Sequence, residues 1–88
     1  MTIELKEKFI NYHADNPQIY EAFERYAHLA SSRRNHFAAI TIINRIRWDT
    51  MISGDDDFKV NNNYAAYYGR LYEENHPEKK DFFRKRTV

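Results

Sequence analysis

A chain of 88 residues with no cysteine, two glycines and two prolines makes one small domain without disulfide staples and excludes a cysteine-ligated zinc site. Fourteen Lys and Arg against 13 Asp and Glu leave a net charge of +1, too balanced for a uniform basic field. The scarcity of Gly and Pro argues against a turn-rich β fold, and no stretch approaches the roughly 18 apolar residues of a membrane span.

The first predicted helix runs from Thr2 to about His13, with Ile3, Phe9 and Ile10 as its apolar positions and Glu4–Lys8 as an i,i+4 pair. Glu4, Lys6, Glu7 and Lys8 also interrupt any signal-peptide layout, so a soluble, cytoplasmic protein is expected. Asp15-Asn16-Pro17 reads as a break and restart, with Asn16 as N-cap and Pro17 as the first helical residue. The second helix then extends to about Ala30, and Ile19, Phe23, Tyr26, Ala27 and Ala30 form its apolar stripe. Residues 31–36 are polar and form a connector carrying Arg33 and Arg34.

The third helix is predicted from Ala38 to about Met51, with Ile40, Ile43, Ile46 and Arg47 along one side and Ile42 and Trp48 near its edges. Gly54 is its natural stop. Asp55, Asp56 and Asp57 form an acidic loop, and residues 58–60 are a candidate short extended segment. Asn61, Asn62 and Asn63 supply a start for the fourth helix, Tyr64 to about Asn75. Tyr64, Tyr68 and Leu71 share its core stripe. Gly69 inside this helix costs roughly 1 kcal/mol against alanine, which a close approach by a backbone or ligand would explain. His76-Pro77 ends the helix, residues 79–83 suggest one last turn, and residues 84–88 form a basic tail outside the domain of residues 1–83. The expected fold is all-α, a bundle of about four helices.

Asn16-Pro17-Gln18-Ile19-Tyr20-Glu21-Ala22-Phe23, Ile42-Ile43-Asn44-Arg45-Ile46-Arg47-Trp48 and Phe58-Lys59-Val60-Asn61-Asn62-Asn63-Tyr64-Ala65 come in this order. Arg70-Leu71, His76-Pro77 and Phe82-Phe83 follow them. The whole resembles a family of small uncharacterised proteins encoded by bacteriophages, prophages and some bacteria. The resemblance implies a setting, an accessory protein in a bacterial host cell, and no activity, cofactor or catalytic residue.

Charge alternates along the chain. Residues 31–50 carry four arginines and one aspartate, residues 51–60 three aspartates and one lysine, and residues 61–88 six basic and four acidic side chains. Local patches are therefore expected. Arg33, Arg34, Arg45, Asn62, Asn63, Tyr67, Arg70, Arg84, Lys85 and Arg86 are the candidate nucleic-acid contacts, because Arg and Asn read base edges and basic clusters hold phosphates. The alternative for Arg45 and Arg47 is ion pairing to a neighbouring helix, with Trp48 as a core anchor. The connection between the third and fourth helices, about ten residues, is longer than the three or four that a helix-turn-helix motif uses.

A non-catalytic nucleic-acid-binding module is the leading expectation. The first alternative is a protein-binding inhibitor of a host enzyme or defence complex, using Asp55, Asp56, Asp57, Tyr67 and Tyr72. The second is a homo-oligomer, such as a homodimer, that completes its core across an interface. His13, His28, His36 and His76 are scattered, with no two spaced as a helical metal pair. The acidic loop lacks the calcium-loop glycine and glutamate, so no cofactor and no metal is expected. No catalytic arrangement is recognisable, and a chain this short offers little pocket.

Overall fold

In the computed structural model, which describes residues 3–53 and 62–83, four α-helices carry the chain: α1 (Ile3–Asp15), α2 (Pro17–Ser31), α3 (Ala39–Ser53) and α4 (Tyr64–Asn75). A single 3-10 turn, Pro77–Lys79, follows α4. The all-α bundle is thus the observed architecture, with helix ends within two residues of the sequence-based ones. The candidate extended segment at residues 58–60 and the stop at Gly54 lie outside the described residues.

The restart between α1 and α2 works differently from expectation. Pro17 does open α2, but Asn16 makes no side-chain cap there. Its side-chain amide instead donates to the Tyr12 carbonyl at 3.0 Å, beside its own backbone N–H on the same oxygen at 2.9 Å. Asn16 therefore closes the end of α1. Asn63 likewise gives α4 no side-chain cap.

The helices share one core. Phe9 of α1, Phe23 and Ala27 of α2, Ile42, Ile43 and Ile46 of α3, and Tyr64, Tyr68 and Tyr72 of α4 are all buried. On α3 the buried face is Ala39, Ile42, Ile43 and Ile46, while Ile40 is half-buried. That rotation turns Trp48 outward to 59 % exposure, so it is not a core anchor.

The chain end closes the bundle. Asp81 takes a left-handed backbone, φ 64°, which Asp tolerates better than most residues, and the chain turns there to deliver Phe82 and Phe83 into the core. Phe37 N–H donates to the Phe82 carbonyl at 3.1 Å, and Phe37 and Phe83 form an isolated parallel bridge. Phe83 N–H donates to the buried Glu73 carboxylate at 3.0 Å. Gly69 has its explanation here. A Cβ at that position would sit 3.3 Å from the Phe83 ring and 3.5 Å from the Ala39 Cβ, so a side chain makes the close approach.

Candidate functional site

The tyrosines of α4 are less available than their number suggests. Tyr64 and Tyr68 are buried as expected, but so are Tyr67 and Tyr72, at 8 % and 0 % exposure. Four rings spaced along three turns of helix cannot all be excluded from a core that receives packing from both sides. Tyr67 stacks on Phe9 of α1, with ring centroids 5.1 Å apart, and Tyr72 meets Phe83 edge-on at 5.7 Å. Neither offers the exposed recognition ring assigned to it from sequence.

The basic candidates divide. Arg33 and Arg34 are exposed at the end of α2, and Asn62 and Asn63 are exposed ahead of α4. Arg45 is exposed but engaged: its Nε donates to Asp49 Oδ1 at 3.2 Å, one turn on. Its guanidinium also lies 5.6 Å from the centre of the Tyr26 ring. Tyr26 in turn donates its hydroxyl to the other oxygen of Asp49. Hydrogen bonding to Tyr26 and the Asp49 charge push the Arg45 guanidinium up from its ordinary value. Arg70 is exposed on α4 beside a shallow depression of about 420 Å³ that it lines with Glu73, Glu74, Pro77 and Lys80, a surface of mixed charge. Asp55, Asp56, Asp57, Arg84, Lys85 and Arg86 lie outside the described residues.

An exposed apolar stripe replaces the expected tyrosine surface. Trp48, Met51 and Ile52 are 59 %, 71 % and 70 % exposed, and their i, i+3, i+4 spacing puts them on one face of the last turns of α3. No charge run or motif marks them in the sequence. The cue is arithmetic: Trp48 falls two residues after Ile46, about 200° around the helix from the buried position.

A second constellation joins distant parts of the chain. Glu24 and His28, one turn apart on α2, meet His76 at the end of α4, and one ligand-type atom from each lies within 4.8 Å of the others. His76 Nε2 is 2.9 Å from Glu24 Oε2. The two imidazole rings stand nearly perpendicular with centroids 4.7 Å apart. Around them, Tyr72 Oη is 2.8 Å from His28 Nδ1, Tyr20 donates its hydroxyl to Glu24 at 3.3 Å, and Asn75 donates to the Tyr20 oxygen at 3.0 Å. His76 Nδ1 faces Glu78 at 3.7 Å. The bond to His76 holds the Glu24 carboxyl below its usual range, against a smaller opposing effect of burial. The Glu24–His28 spacing is legible in the sequence, but His76 is 48 residues further on, and only the packing of α4 on α2 brings it in. Among the described residues no helix is long and apolar enough to cross a membrane.

No protein-family model, curated protein or solved structure matches this chain.

Proposed function

We propose that the chain is a small non-catalytic accessory protein, of the phage or prophage kind that its sequence resembles, and that it works by binding a protein of the bacterial host. The observation that carries this reading is the exposed stripe Trp48–Met51–Ile52 on α3. Trp, Met and Arg are the residue types enriched at protein interfaces, and a central Trp is a common anchor. Arg45, held by Asp49 on the same helix, supplies a polar rim rather than a bare phosphate clamp. The partner's matching feature is an apolar groove able to accept the indole.

A nucleic-acid reading has its own support at another place. The Phe37–Phe82 and Phe37–Phe83 pairing joins the segment just after Arg33 and Arg34 to the one just after Lys79 and Lys80, which favours a shared basic surface there.

One experiment separates the readings. The immobilised protein and its Trp48→Ala variant are offered nuclease-treated bacterial lysate, with circular dichroism as the check of folding. A protein retained by the wild type and lost by Trp48→Ala is the expected result. The single tryptophan should then shift its fluorescence to the blue when that purified protein is added. Capture that disappears on nuclease treatment transfers the case to nucleic acid. Capture indifferent to Trp48→Ala, or no capture at all, overturns the proposal.

A further inference from the structure

We propose that Glu24, His28 and His76 form a binding site for a divalent metal ion of the zinc class, which ties the middle of α2 to the end of α4.

Two imidazoles and one carboxylate are a donor set that zinc accepts, with water completing four-coordination. The alternative account, a simple ion pair, uses only two of the three groups. The His76–Glu24 contact at 2.9 Å does not involve the second imidazole, yet His28 turns its ring edge-to-face with His76 at 4.7 Å. Three ligand-type atoms from separate residues already converge within 4.8 Å. Zinc bonds of about 2.0–2.2 Å place tetrahedral ligands about 3.3–3.6 Å apart, so closure requires no more than about 1.5 Å of movement. Glu24 and His76 already stand 2.9 Å apart, so the closure falls on His28, whose side chain lies at the surface.

The outer partners fit the same reading. Metal-bound histidines are held by a hydrogen bond at the other ring nitrogen, which fixes tautomer and rotation. His28 Nδ1 meets the Tyr72 hydroxyl at 2.8 Å, which leaves Nε2 as its metal-binding nitrogen, and Tyr72 is itself fully buried. His76 has Glu78 on its Nδ1 side at 3.7 Å while its Nε2 faces the cluster. Glu24 is held by Tyr20, which Asn75 holds in turn. His28 is exposed, so an ion can enter and a water can occupy the fourth position. The site is made of residues other than the α3 stripe and stands or falls separately from the protein-binding reading.

Zinc chloride titrated calorimetrically into the full chain at neutral pH should bind with a stoichiometry of about one. Thermal unfolding should move up by about 10 °C or more at a hundredfold excess over Kd. Cobalt(II) should give the visible absorption of a tetrahedral N/O site, and millimolar magnesium should not displace it. Glu24→Gln and His76→Gln should each weaken zinc binding at least tenfold, and His36→Gln, in the α2–α3 connector, should not. Far-UV circular dichroism reports folding, and His28→Gln replaces either variant that fails to fold. No zinc uptake by the wild type, uptake that survives both substitutions, or uptake abolished by His36→Gln overturns the proposal.

Discussion

Tyr68 shows how far one residue can be read from sequence. Its helical spacing from Tyr64 and Leu71 predicts a core position, and the ring is fully buried, edge-on to Phe9 at 4.8 Å. Spacing does not reveal that its hydroxyl meets no hydrogen-bond partner among the described residues. A buried unpaired hydroxyl costs about 1–3 kcal/mol, so Tyr68→Phe should stabilise the protein by about 1 kcal/mol. Urea denaturation measures this directly, and a lowered midpoint would mean that the hydroxyl is bonded after all. Tyr72, one turn on, is the contrasting case. Its hydroxyl contacts His28 across 44 positions of sequence, a partner that helical periodicity has no means of naming.

At the level of elements, the closing segment after α4 depends on the contacts of Phe82 and Phe83. The 3-10 turn and the left-handed Asp81 aim two phenylalanines inward. Phe83 packs on Phe23 at 5.4 Å and Tyr72 at 5.7 Å. Phe83→Ala keeps the backbone bond to Glu73 and removes only the ring. Such truncations in a core cost about 3–5 kcal/mol, a large part of the 5–15 kcal/mol that a domain commonly has. The expected result is a much lower urea midpoint or loss of cooperative unfolding. A change below about 1 kcal/mol would show that the segment merely rests on the bundle. The sequence places a turn near residues 79–83 but not its destination, because that depends on Phe37 and Glu73, distant in sequence, both bonding the Phe82–Phe83 backbone.

Over the whole molecule, burial acts on several phenols in the same direction. Desolvation pushes Tyr68 far up from its ordinary value, and desolvation followed by the nearby Tyr64 raises Tyr12. The folded state therefore holds these protons more tightly than the unfolded chain, whose tyrosines ionise near pH 10. Their contribution is intact below about pH 10 and is lost as pH rises toward the folded-state values. Urea midpoints should stay level from neutral pH to about 9.5 and fall above 10, with a shallower fall in Tyr68→Phe. A midpoint unchanged to pH 11 would contradict this.

Helical periodicity and the placement of Pro determined that the described residues form four helices and roughly where each begins. These are local signals, written within a few residues of where they act. Which face of α3 turns inward, how deeply α4 is enclosed and where Phe83 lands were decided only by tertiary packing. Trp48 is exposed because its neighbours Ile42, Ile43 and Ile46 already fill the inward face. Tyr67 and Tyr72 are buried because α1 and the closing segment cover sides of α4 that its own sequence cannot foresee. The Glu24–His28–His76 cluster exists only because α4 ends against α2, an arrangement set by the shape of the shared core.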